Sequence, residues 1–352
     1  MRPLFAIGLG VVATALVLEV VLQCLPVVSG LRMEDSSAAV PFNRYLPRQP
    51  YVYSHGWALA NARRGMTNAQ GYNNSADFQD GAAVLVAGDS FIESLMLDYA
   101  DTVQGNLDRA LGGKVYAAAG SGNGLADGLE MLRYYQPRLH PRTVVLFVDA
   151  GNLNELLAPA QRGHSHFVVN GQAVSAAHNP YAESKIKRLV AHSALARYVY
   201  YNLKLSDWML TKLQSSKPAG AATATATATA TAGARVAALE FYLAQLRQAG
   251  GAATRIIFLV DGERNVLYEP RHAQPQWHGD NRSFFMERAR QHGYAVVDMQ
   301  PVFAQHWALR RERMDFLPMD GHWNKVAHGL AAQQLLPLLA TAPTPSPAAG
   351  GN

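Results

Sequence analysis

The six residues TVVLFV, 143–148, are apolar at nearly every position and run straight into Asp149-Ala150-Gly151-Asn152. A strand that alternates apolar and polar residues can leave one face in water. A strand that is apolar throughout must be covered on both faces, as in a parallel sheet flanked by helices. Shorter versions of the pattern recur at Val84-Leu85-Val86, stopped by Gly88, and over residues 115–117, 255–260 and 294–297. Between them, helical spacing predicts helices over 102–111, 125–135, 235–248, 282–292 and 301–309, and a last one through Ala331 and Leu336. Gly112-Gly113 and Gly250-Gly251 close two of these helices, and Pro137 is expected to terminate another. Strands alternating with helices argue for an α/β domain whose parallel sheet is covered on both faces. In such sheets the reactive groups collect just beyond the carboxyl ends of the strands.

The N-terminus carries a different constraint. Residues 4–28 are almost unbroken apolar sequence, interrupted mainly by Glu19 and Gln23, and a bilayer span needs roughly 20 residues. Arg2 precedes the run, as expected when the short N-terminal end stays cytoplasmic. A cleaved signal peptide is the competing reading, but no A-x-A-like site follows Leu25. Residues 1–28 are therefore read as an uncleaved transmembrane anchor, with the bulk of the chain on the periplasmic side of a bacterial inner membrane. Cys24 is the only cysteine, so no intrachain disulfide is possible, and Gln23 before it does not suit a lipoprotein cleavage site. With 49% apolar and 16% charged residues the rest can bury a sizeable core. The net charge of +5 is scattered, and its densest basic spots, 185–188 and 310–313, lack the aromatic interleaving of a nucleic-acid surface.

Residues 29–80 are rich in Pro, Asn, Tyr and Arg and read as a tether and an irregular wrap over the domain face. The main domain is assigned to 81–340. Within it, Asn170-Gly171 signals a hairpin. The Ala-Thr repeat around 219–234 offers nothing large to bury and reads as a flexible insert, and 341–352 as a disordered tail.

Four polar landmarks follow in order, the first three of them at strand ends. Gly88-Asp89-Ser90 follows the first strand, Gly120-Ser121-Gly122-Asn123-Gly124 the second, and Gly151-Asn152 the third. Asp320-Gly321-His322-Trp323-Asn324 precedes the last helix. A serine hydroxyl is a poor nucleophile unless a base takes its proton. Histidine can accept that proton and return it to a leaving alkoxide. A carboxylate behind the imidazole fixes its tautomer, and preorganised N–H donors stabilise the oxyanion that develops.

On these blocks, over about residues 84–336, the chain resembles the SGNH hydrolases, also called the GDSL esterase and lipase family. The resemblance implies a flavodoxin-like, three-layer α/β/α fold. It implies Ser90 as nucleophile, His322 as base and Asp320 as its orienting partner. The implied oxyanion donors are the Ser90 backbone N–H, Gly122 and Asn152, with Gly120 and Asn154 as alternates. The second block departs from Asn-x-Gly-x-x-Gly, because Ala117-Ala118-Ala119 precedes Gly120, and the third reads Gly151-Asn152-Leu153-Asn154. Asp320 stands two residues before His322, not three as in many members. The Asp-x-His-Trp block is similar to that of membrane-tethered polysaccharide O-acetyltransferases of the alginate type. So is Asn68-Ala69-Gln70-Gly71-Tyr72, an Asn-x-x-Gly-aromatic segment upstream.

The resulting expectation is a serine esterase acting on acyl, especially O-acetyl, esters of a cell-envelope or exported polysaccharide. No cofactor, metal or nucleic-acid partner is expected. An O-acyltransferase using the same triad is the alternative, and a non-catalytic glycan-binding protein on the same fold is a third reading. Asp89 is expected to shape the turn only. The pair His164 and His166 lacks ligands at metal spacing, and His328 is expected to pack or cap the last helix. Asp261-Gly262-Glu263-Arg264 is either a turn or part of the substrate rim.

Overall fold

The computed structural model describes residues 2–37, 39–77, 81–154, 156–171, 173–205, 232–271 and 273–340. Among the described residues eleven strands are found: β1 Pro50–His55, β2 Ala60–Met66, β3 Val84–Gly88, β4 Val115–Ala119, β5 Thr143–Val148, β6 Ser165–Asn170, β7 Ala173–His178, β8 Arg255–Val260, β9 Ala295–Asp298, β10 Asp315–Leu317 and β11 Asp320–Trp323. Five form a parallel sheet in the order β4-β3-β5-β8-β9. The chain runs outward from β3 to one edge and then across β5 to the other, so the order reverses beside β3. Ligands bind at such a switch point in doubly wound sheets.

The uniformly apolar strands divide their side chains between two cores. Leu85, Ala87, Val144, Leu146 and Val148 face one side, with helix α4 (Leu125–Leu139) and the helices Ala232–Gly250 and Asn281–Gln291 over them. Val84, Val86, Val145 and Phe147 face the other. There they meet α3 (Val103–Leu111) and the helices Met299–Arg310 and Lys325–Ala340. This is the three-layer α/β/α fold. Each fully buried Val, Leu or Phe contributes roughly 1.5–3 kcal/mol, so the register is firmly set.

Two expectations change. Pro137 does not end α4, which runs to Leu139 and closes on His140 in the left-handed region at φ 46°. The proline gives up the bond its N–H would make to the Arg133 carbonyl, but only two helical residues follow it, and the second, Leu139, is fully buried. Residues 29–80 are not irregular throughout: β1 and β2 form an antiparallel hairpin. The wrap also supports the domain, because Asn73 and Asn74 donate side-chain N–H bonds to Glu93 O at 3.0 and 3.1 Å. The hairpin turn at Asn170-Gly171 is found as expected. The Ala-Thr repeat and the 341–352 tail lie outside the described residues, except that 232–234 open the helix Ala232–Gly250.

His328, in the first turn of the last helix, ties three elements together. Its Nδ1 accepts the Val103 N–H at 3.1 Å, which leaves Nε2–H to donate to Ser94 Oγ at 3.0 Å. The ring is fully buried, and that burial pulls its pKa down to about 3. An unfolded chain binds a proton there below about 6.5, whereas the folded chain does not until about 3. His328 therefore lowers stability as pH falls through that window, by up to about 1.4 kcal/mol per unit. Urea midpoints measured from pH 7 to pH 4 should fall more steeply for the wild type than for His328→Gln. Parallel curves would contradict this.

Candidate active site

Gly88 ends β3, and Ser90 opens the four-residue helix α2 (Ser90–Glu93) immediately after it. The turn is tight: a Cβ on Gly88 would lie 2.5 Å from Ile92 Cγ1, which only glycine avoids. Asp89 caps α2 by accepting the Phe91 N–H at 2.8 Å. Burial, reinforced by the charge of Asp149, pushes the Asp89 carboxyl well above the ordinary carboxylate range. It shapes the turn through that bond to Phe91. Ser90 N–H, first in its helix, has no acceptor among the described residues.

His322 comes from a sequence separation of 232 residues, and its Nε2 lies 2.9 Å from Ser90 Oγ. Its Nδ1 lies 2.5 Å from Asp320 Oδ1. The same carboxylate oxygen accepts the His322 backbone N–H at 3.1 Å. The two-residue spacing works because Asp320 and His322 share strand β11, where i and i+2 side chains point to one face. Burial alone would raise the Asp320 carboxyl. Its hydrogen bond and charge pairing with His322 outweigh that and hold it below the usual carboxylate range. With Asp320 ionised, Nδ1 carries the proton and Nε2 is left as an acceptor for the Ser90 hydroxyl. A chain Asp–His–Ser of this kind can make an alkoxide equivalent at Ser90.

Hydrogen-bond accounting separates the candidate donors. Gly120 N–H donates to Gly88 O at 3.2 Å, continuing the β3–β4 ladder. Ser121 N–H goes to Glu93 Oε2 at 3.1 Å, Asn123 N–H to Gly120 O at 3.1 Å, and Gly124 N–H to Asp127 Oδ2 at 2.9 Å. Only Gly122 N–H in this loop lacks an acceptor among the described residues. Gly122 sits at φ +85°, where a Cβ would also crowd His164 at 3.2 Å. In the third block, Asn152 Oδ1 accepts the Asp149 N–H at 3.1 Å. One Nδ2 hydrogen donates to Asn123 O at 3.3 Å, which leaves the other free. Asn154 is turned away, donating to Gln276 O at 2.9 Å. Ser90, Gly122 and Asn152 line one cavity of about 330 Å³, whose walls also include Asn123, Gln161 and His164. Gly120 and Asn154 do not line it.

Two supporting residues escape a reading of motifs. Glu93, one turn after Ser90, accepts both the N–H and the hydroxyl of Ser121, so the nucleophile's helix and the Gly122 loop are fastened together. Burial pushes its carboxyl up against the pull of those bonds. Arg264 is buried and joins Asp261 Oδ1 at 2.5 Å, Asp315 Oδ1 at 2.7 Å and Gly321 O at 2.5 Å. Asp261 also accepts the Trp323 indole N–H at 2.8 Å. The strand-end segment 261–264 thus braces the β10–β11 hairpin that carries Asp320 and His322. Only a spacing of charged residues after a strand hinted at it. Arg264→Met leaves the buried Asp261 carboxylate without its cation and takes one of two arginines from Asp315, and should cost about 3–5 kcal/mol in urea denaturation. An unchanged midpoint would show that the brace holds nothing.

His164 Nε2 accepts from Asn43 Nδ2 at 2.8 Å, and its Nδ1 lies 3.2 Å from Asp127 Oδ2. Among the described residues no three His, Cys, Asp or Glu side chains are placed to hold a metal ion.

No family model and no curated protein matches the sequence. Solved structures similar to the chain include an alpha/beta hydrolase from the metagenome of Lake Arreo, Spain, at 14% identity and a TM-score of 0.40, covering 76% of this chain and 99% of that one. A catalytic mutant of an acetylxylan esterase from Geobacillus stearothermophilus is similar at 12% identity and a TM-score of 0.39, over 75% of this chain and 96% of that one. A lipase/acylhydrolase from Enterococcus faecalis is similar at 12% identity and a TM-score of 0.38, over 75% and 99%.

Proposed function

We propose that this chain is a membrane-anchored serine hydrolase of the SGNH type that cleaves acyl esters, with O-acetyl groups on a polysaccharide outside the cytoplasm as its substrate class. One observation carries the reading: Ser90 Oγ, His322 and Asp320 form a continuous hydrogen-bonded chain, and its Ser90 end lines a polar cavity. In the reaction, His322 Nε2 takes the Ser90 proton as Oγ adds to the ester carbonyl. The oxyanion is received by the N–H groups of Ser90 and Gly122 and the Asn152 amide. Collapse breaks the ester C–O bond, and the imidazolium returns its proton to the leaving alkoxide. Water, deprotonated by the same imidazole, then attacks the acyl-serine and releases the acid.

A cavity walled by Asn123, Asn152, Gln161 and His164 suits a hydroxyl-rich substrate better than a fatty chain. The same polar walls could seat a second sugar hydroxyl in place of water, which favours O-acyl transfer as the alternative. The retained anchor is supported by the exposed apolar stretch Pro3–Gln23, 21 residues long. Its last turn also packs into the domain: Leu22 is buried with Val27 and Ala194.

Full-length protein in detergent should hydrolyse p-nitrophenyl acetate and release acetate from acetylated oligosaccharides, and Ser90→Ala should abolish both. Acetyl transfer to an added unacetylated oligosaccharide, faster than acetate release, would select the transferase. Equal rates for wild type and Ser90→Ala would sink the proposal.

A further inference from the structure

We infer that the tip of the β1–β2 hairpin and the segment 193–202 rest in the headgroup layer of a phospholipid bilayer, with Trp57 and Tyr200 as interfacial anchors. This rests on the reading of the first helix, α1 (Arg2–Gln23), as a retained membrane span.

The depth argument starts from Glu19. At 1.5 Å per residue the 21-residue stretch Pro3–Gln23 is about 31 Å long, close to the roughly 30 Å hydrocarbon thickness. Glu19 therefore lies about 6 Å inside its C-terminal end. A carboxylate at that depth is costly unless protein donors surround it. It has four: Gln23 Nε2–H at 2.7 Å, Ser193 Oγ–H at 2.8 Å, Ala194 N–H at 2.9 Å and Leu195 N–H at 2.8 Å. The last three must reach down to its level. Leu195 does so, lining one groove together with Leu18 of α1. Gln23 adds a bond to His192 O at 3.1 Å.

The hairpin tip is fixed to the same corner. Leu59, Leu195 and Tyr198 pack on the buried cluster of Leu22, Val27 and Ala194. Tyr198 OH donates to Trp57 O at 2.7 Å, and Asn202 bridges Val28 N–H at 3.1 Å and Ser54 Oγ at 3.0 Å. Around this rigid junction Trp57 is 77% exposed and Tyr200 56% exposed. Tryptophan and tyrosine are the side chains that favour the headgroup level, where an apolar ring and a polar edge are both satisfied. Both flank the exit of a helix whose apolar side chains are themselves uncovered, so the surface that covers the helix also meets them.

There is a consequence for the site. Tyr53 of β1 packs its ring on Phe316 of β10 at 5.9 Å between centroids. The hairpin whose tip carries Trp57 therefore also touches the His322-bearing β10–β11 pair, so its seat at the bilayer constrains where that pair is held.

The test uses full-length protein in phosphatidylcholine/phosphatidylglycerol vesicles. Trp57→Cys, Tyr200→Cys and, as a control, Leu309→Cys are each made in a Cys24→Ser background and labelled with the polarity-sensitive fluorophore NBD. Protein that fails to float with the vesicles overturns the anchor, and this inference with it. For protein that floats, emission from 57 and 200 should shift to the blue. It should also lose about half its intensity to headgroup-level spin-labelled lipid, with position 309 unaffected. Flotation without quenching at 57 and 200, or with equal quenching at 309, overturns the interfacial seat and leaves the anchor standing.

Discussion

Replacing His322 with alanine should reduce ester turnover by about 10⁴–10⁶-fold while leaving the fold intact. The size follows from the geometry. Nε2, 2.9 Å from Ser90 Oγ, is the only base within reach of that hydroxyl among the described residues. Without it the attacking species is a neutral alcohol. The imidazole is 31% exposed, so removing it leaves no closed cavity and little destabilisation. Asp320→Asn should cost about 10⁴-fold, because the amide no longer holds the proton on Nδ1. The double variant Ser90→Ala/His322→Ala should be no worse than either single change, since the residues act as a unit. Steady-state kinetics with p-nitrophenyl acetate, alongside circular dichroism, measures all of these. A His322→Ala enzyme within tenfold of wild type would place the base elsewhere.

The second large effect belongs to the oxyanion donors. Asn152→Ala should lower kcat by about 10²–10³-fold with KM little changed, because the free Nδ2 hydrogen meets charge only as it develops. Asn154→Ala should stay within about threefold of wild type, because that side chain is spent on Gln276. The glycines separate in the same way. Gly122→Ala places a methyl at φ +85° and 3.2 Å from the His164 ring, so the loop that offers its N–H must move. Gly120 is not in the left-handed region, and its N–H is held by Gly88 O, so Gly120→Ala should be mild. The reverse ranking in either pair would show that the donors have been wrongly chosen.

Much of this arrangement was legible because it is written locally. TVVLFV announces a strand buried on both faces, and the structure buries all six of its residues. Strand ends followed by Gly-Asp-Ser and Gly-Asn place two site elements on one edge of one sheet. Three other features were not legible, each for a physical reason. Pro137 lies in a helix because tertiary burial of Leu139 outweighs a local stop signal. The roles of Glu93 and Arg264 arise from partners distant in sequence, Ser121 in one case and Asp315 and Gly321 in the other. The seat of α1 on Ser193 and Ala194 joins segments separated by up to 175 residues, which no periodicity reveals.

The central claim is that Ser90 is an activated nucleophile. Full-length protein treated with a fluorophosphonate and digested for mass spectrometry tests it most directly. The account predicts a single adduct, on the peptide containing Ser90, lost in Ser90→Ala and strongly slowed in His322→Ala. An unmodified Ser90 peptide under conditions that fully label a control serine hydrolase, or an adduct that survives Ser90→Ala, would contradict it.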